Sequence, residues 1–416
     1  MDTIATGTLL EDPRAQALLA DARVTAGQVA GCRQTLDLFI EKYLPFFYRT
    51  EQRDNARIVI RGLLSGLQRK TAEPIAREEG VPRKPLQVFV GSGKWDDDAV
   101  MGELRGHVME KLSNPEGVLV LDSSAFPKKG DHSCGVARMW CGRLGKKENC
   151  QIGVFLAYAA DRGQAPLDRQ LYLPKEWASD PARRAECHVP ATVKYQERWE
   201  MGLKMIRAHG SLIPHRWVTA DDEFGRAEAF REGLRQDGEA YIVDVPVTTT
   251  IRDLAVQKSL RPGSASHLPG ALFCRVDQWA AAQPPDAWRE IQVKDGQKGP
   301  IRVHAMMTKV QTRRRARAGP EEWLVVMRPP RAGGQPPVLS YHLVWSPREV
   351  SLEQCVIGRA RRHQIEQMFG HGKGEAGLDH YEVRSYVGWH HHMTLSLLAL
   401  WFLCLERLHL GKKRQR

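Results

Sequence analysis

Three acidic residues of this chain, Asp122, Asp221 and Glu366, have the type and local setting that metal-assisted chemistry on phosphate esters requires. Asp122 follows the apolar run 118–121, and Asp221 follows the β-prone run 217–220. Such runs are typical of strands buried on both faces of a mainly parallel sheet, which places each acid at the end of its strand. Ligands collect at the carboxyl ends of these strands, and Mg²⁺ prefers oxygen ligands. We therefore expect the two aspartates to form one metal site.

The third acid is expected on a helix. Residues 352–369 are rich in helix formers, with Ile365, Met368 and Phe369 on one stripe and Glu366 at the border of that stripe. A helix packed by this stripe could bring Glu366 over the edge of the sheet. For each acid taken alone, the competing interpretation is a solvated surface carboxylate.

Basic residues accompany Glu366 at helical spacing. Arg362, Glu366 and Lys373 project within roughly 60° of one another on a helix, so two cations would flank the acid. Glycines at alternate positions in 370–374 interrupt the helical pattern, and a loop position after the helix is the alternative for Lys373. The competing interpretation of these cations is an exposed basic helix face.

Several segments around the acids resemble the motifs of DDE transposases of bacterial insertion sequences. The resemblance runs from about residue 35 to about residue 405, which is most of the chain. The matching segments are Leu121–Gly130, Gly135–Arg138, Cys141–Lys146, Ala220–Gly225, Ile365–Glu366, Lys373–Gly374, Gly377–Tyr381 and Arg384–Ser385.

The branch of the family that this chain resembles carries a Tyr-Arg-Glu-Lys signature around its catalytic glutamate. Arg362 and Lys373 occupy the Arg and Lys places, whereas Arg359 stands at the Tyr place. Ser123 is a second departure, because relatives often have another aspartate there. That departure leaves Asp122 as the single candidate for the first acid.

The resemblance implies a DNA transposase that cleaves transposon ends and transfers the strands into target DNA. It further implies that Asp122, Asp221 and Glu366 are catalytic and hold two Mg²⁺ ions, for which Mn²⁺ can substitute. The expected partners are double-stranded DNA, as terminal repeats and as target, and a second copy in a synaptic homodimer. The residues expected to bind DNA are Arg362, Lys373, Lys128 and Lys129, and a solvated turn is the alternative for the last two.

Composition agrees with a nucleic-acid partner. The 416 residues carry a formal charge of +12 and a sequence pI near 9.4, and basic surfaces gain affinity for DNA by releasing its counterions. Basic residues cluster in 309–317 and in 411–416. A solvated loop and tail is the alternative for these clusters.

The predicted fold class is α/β, and the resemblance names it a ribonuclease H-like core with a β-rich insertion and a helical N-terminal DNA-binding domain. Strands are expected at 118–122, near 136–141, and at 151–160, 215–221 and 241–245, with a helix over 192–209. The segment Lys70–Val81 resembles the opening of a helix-turn-helix. The predicted domains are 1–112 (N-terminal, DNA-binding), 113–246 (first part of the core), 247–347 (β-rich insertion) and 348–416 (core completion with the Glu366 helix and a basic tail).

The sequence also suggests where the protein acts. Its eight cysteines are scattered, which is typical of a reducing compartment, and the apolar run Leu395–Leu405 is too short to span a bilayer. With no signal peptide evident, we expect a cytoplasmic bacterial protein associated with the nucleoid and not with a membrane. Two alternatives stay open: a non-catalytic DNA-binding protein descended from a transposase, and a DDE nuclease that cuts without transposing.

Overall fold

A computed structural model describes residues 26–265, 267, 272–296, 299–328 and 338–414. Within these residues the chain forms two compact units, one made of 26–104 and 371–414 and the other of 105–370. The four-domain division expected from the sequence stays a prediction.

The helices are named in chain order. Short 3₁₀ turns occur at Leu44–Phe46, Gly142–Leu144, Gly210–Leu212 and Pro285–Ala287. The α-helices are α1 Ala26–Glu41, α2 Thr50–Leu64, α3 Ala72–Glu78, α4 Arg83–Ser92, α5 Asp97–Leu112, α6 Lys175–Ala178, α7 Pro181–Glu186, α8 Arg198–His209, α9 Asp222–Gly225, α10 Glu228–Gln236, α11 Val276–Ala281, α12 Leu352–Arg361, α13 His363–Glu375 and α14 Tyr386–Arg414.

The first unit is helical. Helices α3 and α4 are separated by a short turn in which Gly80 has a φ of 64°. That this pair is a helix-turn-helix and that it contacts DNA both stay predictions. The run Leu395–Leu405 lies inside α14 and is largely buried. His391 of the same helix stacks on Trp95 with ring centroids 3.8 Å apart.

No helix in the described part of the chain is both long enough and apolar enough to cross a membrane.

The second unit is built on one mixed sheet. Its strand order is β2-β3-β1-β5-β6-β12-β11-β10-β7-β8, with β4 paired to β3 and β9 paired to β10. The strands are β1 Val118–Pro127, β2 Ala137–Cys141, β3 Lys146–Ala160, β4 Gly163–Leu171, β5 Trp217–Ala220, β6 Tyr241–Asp244, β7 Thr250–Asp253, β8 Cys274–Arg275, β9 Arg289–Gly296, β10 Gly299–Arg314, β11 Arg317–Arg328 and β12 Ser340–Trp345.

Several expected boundaries were wrong, among them those of β1 and of α8. Strand β1 does not end at Asp122 but continues to Pro127, because β3 goes on pairing with it antiparallel over those residues. Helix α8 begins at Arg198, several residues later than expected, where Glu197 and Glu200 form a capping box. The parallel neighbour β5 nevertheless ends at Ala220, so Asp122 lies where the parallel part of the sheet stops.

The strands of the expected insertion join the same sheet as the core. Strand β12 pairs antiparallel with β6, and β11 and β10 follow it in order. The mixed α/β class is therefore confirmed, and a single sheet carries the core strands and the later β-rich region.

Candidate active site

Three aspartates align across the parallel strands β1, β5 and β6. Leu121 lies opposite Ala220, and Ala220 lies opposite Val243. The next residue of each segment is an aspartate, so Asp122, Asp221 and Asp244 form one row at the carboxyl ends of the paired parallel residues. Neighbouring strands are about 4.8 Å apart, which makes the row a concentrated set of negative charges.

Asp122 is a buried carboxylate. Its Oδ1 accepts a hydrogen bond of 2.8 Å from the backbone N–H of Ser123. Burial raises the pKa of Asp122 to about 7, with Arg362 opposing the shift and the charges of Asp221 and Glu366 adding to it. A bound cation would offset the free-energy cost of ionising this buried carboxyl group, so Asp122 is suited to binding one.

Asp221 caps the short helix α9. Its Oδ1 accepts from the backbone N–H groups of Glu223 at 3.1 Å and Phe224 at 3.4 Å, which fixes the orientation of the carboxylate. Burial raises the pKa of Asp221, Arg362 opposes the shift, and repulsion from Asp222 adds to it. The second acid is thus held rigidly beside the first.

Helix α13 brings Glu366 to the same edge. Ile365 and Met368 are buried as the stripe predicted, and the Phe369 ring packs edge-on against Phe155, with 5.2 Å between centroids. Phe155 is the residue of β3 that pairs with Asp122. Glu366 itself is exposed, and its Oε2 lies 2.9 Å from Nδ1 of His363.

Arg362 lies among the acids. Its Nη2 is 3.6 Å from Oδ2 of Asp122, and its Nη1 is 3.5 Å from Oδ2 of Asp244 and 3.4 Å from Oε1 of Glu366. Although burial acts to lower the pKa of Arg362, these acids and Asp221 raise it above its ordinary value. A guanidinium ion therefore occupies the space between the carboxylates.

Asp244 is a member of the cluster that the sequence analysis missed. Arg359 binds it through two short contacts, Nε to Oδ1 at 2.6 Å and Nη2 to Oδ2 at 2.7 Å. Nδ1 of His342 lies 2.8 Å from Oδ1 of Asp244. Burial acts to raise the pKa of Asp244, but the charges of His342, Arg359 and Arg362 hold it below its ordinary range. The available signal was an apolar run, 241–243, followed by an aspartate, the same pattern that marked the first two acids.

The other predicted DNA contacts are Lys373, Lys128 and Lys129. Helix α13 continues through its glycines to Glu375, so Lys373 sits in the last helical turn and not in a loop, beyond residue 370 where the second unit ends. Lys128 follows β1 directly, and its N–H donates to the carbonyl of Asn149 at 2.9 Å. Six strand residues span about 20 Å, so Lys128 and the exposed Lys129 are not brought next to Asp122.

Within the described residues, no three His, Cys, Asp or Glu side chains are arranged to hold a metal ion. The guanidinium of Arg362 instead contacts both Asp122 and Glu366. The donor chemistry still fits a hard cation, since Asp122 and Asp221 are adjacent buried carboxylates whose pKa values are both raised. Glu366 would complete the set after leaving Arg362.

The family described as DDE superfamily endonuclease matches residues 42–300, more than half of the chain. That range contains the three aspartates of the row but ends before α12 and α13.

One curated relative is the probable transposase for insertion sequence element IS701 of Microchaete diplosiphon. It is 26% identical over 169 residues, which is 40% of this chain and 41% of the relative. A solved structure, the piggyBac transposase synaptic complex with hairpin DNA, aligns with 86% of this chain and 66% of that chain at 9% identity and a TM-score of 0.41. The match over residues 42–300 confirms the resemblance inferred from the motifs, and the chain belongs to the DDE superfamily endonuclease family.

Proposed function

We propose that this protein is a DNA transposase that cleaves the ends of its element and transfers the strands into target DNA. One observation carries the proposal: Asp122 and Asp221 are neighbours in the row, and the pKa of each is raised mainly by burial. Two such acids beside Arg362 form a site for a cation and a phosphodiester, and family membership supports the same chemistry.

The proposed ligands of two Mg²⁺ ions, or of Mn²⁺ in their place, are Asp122, Asp221 and Glu366. When bound, such ions activate water or a 3′ hydroxyl and stabilise the leaving oxygen. The chain's own part is to supply ionised carboxylates, of which Asp122 and Asp221 are held in place by backbone N–H groups. The α9 cap orients Asp221, and the exposed position of Glu366 on α13 leaves its carboxylate free to reorient.

Phosphate contacts are proposed for the basic residues. Arg362 stands closest to the acids and would hold the phosphate that reacts. Lys373, Lys128 and Lys129 would bind DNA further along its path. Terminal repeats, target DNA and a second copy in the synaptic complex are the proposed partners, and the bacterial nucleoid is the proposed location.

The order and directions of five strands support a ribonuclease H-like core. In β4-β3-β1-β5-β6, the strand β3 is antiparallel to both neighbours, and β1, β5 and β6 run parallel. These are three meandering strands followed by two parallel additions. The meander consists of β1, β3 and β4 and not of the strands expected at 118–122, 136–141 and 151–160, because β2 pairs only with the first residues of β3. The predicted domain limits at 112, 246 and 347 belong to the same proposal.

The test uses a labelled duplex that carries the end of the element. The wild-type protein and Asp122→Ala are incubated with the duplex in Mg²⁺, Mn²⁺ or EDTA, and nicked and joined products are separated on a gel. We expect metal-dependent nicking and joining that the variant loses while it keeps DNA binding. Full activity of the variant would overturn the site assignment.

Two further outcomes would each replace the proposal. Binding without cleavage under every metal condition would indicate a non-catalytic DNA-binding protein. Cleavage without joined products would indicate a DDE nuclease that does not transpose, because hydrolysis and strand transfer use the same acids.

A further inference from the structure

Arg359 and Arg362 hold Asp244 in different ways. The two contacts of Arg359 are 2.6 and 2.7 Å, the geometry of a bidentate charge-assisted pair. Arg362 makes contacts of 3.4 to 3.6 Å with three separate carboxylates, which is longer than a strong hydrogen bond. Nε of Arg362 is buried and donates to no acceptor within the described residues. Arg359 is therefore fixed, whereas Arg362 is loosely shared.

Two of the three acids that share Arg362 are proposed metal ligands, and the third is not. A divalent cation bound by Asp122 and Glu366 would compete with the guanidinium for the same oxygens. Asp244 is the carboxylate that Arg362 can keep while it gives up the other two. Its own orientation is set by Arg359 and by His342, which also lies 2.8 Å from Oγ of Ser340 through Nε2.

We propose that Asp244, fixed by Arg359, is a positioning residue that holds Arg362 away from Asp122 and Glu366 when a divalent cation binds. This inference rests on the proposed function, because it takes Asp122 as a metal ligand. It also assigns a role to Arg359, which stands at the Tyr place of the family signature. A tyrosine could not form the bidentate pair that fixes Asp244.

The experiment measures Mn²⁺ binding to the DNA-free protein by electron paramagnetic resonance of the unbound ion. The proteins are the wild type, Asp122→Asn, Asp244→Asn, Arg362→Ala and the double variant Asp244→Asn/Arg362→Ala. We expect Asp244→Asn to weaken Mn²⁺ binding about threefold or more, because Arg362 then has only the metal ligands left as partners. In the Arg362→Ala background, Asp244→Asn should weaken Mn²⁺ binding by less than half as much as it does in the wild-type background.

The double variant separates positioning from simple charge. Loss of a negative charge weakens cation binding whether or not Arg362 is present, so equal effects of Asp244→Asn in both backgrounds would overturn the inference. The matched control is Asp237→Asn, since Asp237 makes the same kind of two-contact pair with Arg207, at 2.6 and 3.2 Å, away from the row. We expect this control to bind Mn²⁺ as the wild type does.

Two further variants make the outcome of the experiment interpretable. If Asp244→Asn does not fold, Arg359→Lys takes its place, because lysine keeps the charge but cannot form the bidentate pair with Asp244. Arg359→Lys should weaken Mn²⁺ binding when Arg362 is present and much less in the Arg362→Ala background. Wild-type binding by Arg359→Lys would then count against the inference. Asp122→Asn tests the foundation: unchanged Mn²⁺ binding in this variant would reject the proposed metal site itself, whereas lost binding with no effect at Asp244 would reject only the positioning role.

Discussion

Gly225 packs directly against the carbonyl oxygen of Asp244, leaving no room for a side chain. A Cβ at position 225 would overlap that oxygen and would also press on Val243. Gly225 ends the short helix α9, which begins just after Asp221. The glycine thus lets the segment that orients the second acid approach the strand that carries Asp244.

Replacing Gly225 by alanine should therefore disturb both acids. We expect Gly225→Ala to lower the free energy of unfolding by about 2–3 kcal/mol, because the obstructing atom is backbone and cannot rotate away. Urea denaturation followed by circular dichroism measures the change. Gly142→Ala is the control, since a Cβ there meets nothing within 4 Å. Equal stability of the two variants would contradict the packing argument.

The raised pKa of Asp122 predicts a pH-dependent cost to stability. Its pKa is about 7 in the folded protein and about 3.9 in the unfolded chain, so the folded state binds the proton more tightly. Between these values stability falls as the pH rises, and at pH 8 the protein carries a buried anion at its full cost. Asp122→Asn removes that cost. In the metal-free protein we expect the variant to be more stable than the wild type at pH 8, by about 1–3 kcal/mol.

Thermal unfolding at pH 5 and pH 8 tests this expectation. At pH 5 Asp122 is protonated in the folded protein but still mostly ionised in the unfolded chain, so the advantage of Asp122→Asn should fall to roughly a third of its value at pH 8. Asp244 does not interfere, because its pKa lies below the ordinary range and its contribution is lost only at lower pH. An advantage of the same size at both pH values would show that ionisation of Asp122 is not its cause.

The sequence predicted the row of acids only in part. Apolar runs before Asp122 and Asp221 were recognisable because strands buried on both faces need continuous apolar residues. Asp244 follows a run of the same kind, but the strand was expected to continue to residue 245, which made this aspartate look like an interior residue. Its importance depends on Arg359, which is 115 residues away in the chain. A contact of that range leaves no local pattern.

Strand lengths show the same limit. The apolar run 118–121 predicted where β1 begins, but its continuation to Pro127 depends on pairing with β3, where Asp122 is matched with Phe155. Strand β4 was not expected at all, although it pairs with β3 over most of its length. Partners from distant segments extended these strands, and composition alone does not record such partners.

A buried ion network joins the β-rich region to the core and should matter for stability. Glu322 of β11 accepts from Nε of Arg231 at 3.0 Å and from the hydroxyl of Tyr241 at 2.5 Å. Glu322→Ala would leave Arg231 buried without its acid, at a cost of about 3–5 kcal/mol. Tyr241→Phe removes two hydrogen bonds, one that the hydroxyl donates to Glu322 and one that it accepts from Arg235, and should cost about 1–3 kcal/mol.

Chemical denaturation of these variants measures both effects. Glu321→Ala is the matched control, because Glu321 is the adjacent residue of β11 and is exposed. A loss of stability in Glu322→Ala no larger than that of the control would show that the network does not hold the two regions together.

The two lysines after β1 should contribute to DNA affinity without taking part in cleavage. Lys129 is exposed and lies roughly 20 Å along the strand from Asp122, too far to touch the phosphate that reacts. We expect Lys129→Ala to bind DNA more weakly than the wild type. The slope of log Kd against log salt concentration should fall by about 0.9, the value for one lost phosphate contact. Fluorescence anisotropy across a salt series measures the slope, and single-turnover cleavage at saturating protein should stay at the wild-type rate.

Lys204→Ala removes the same charge from the exposed side of α8 and is the control. If the two variants have equal slopes, Lys129 is a solvated turn residue that does not contact DNA phosphates. A reduced cleavage rate of Lys129→Ala at saturating protein would show that Lys129 lies nearer the reacting phosphate than an extended strand allows.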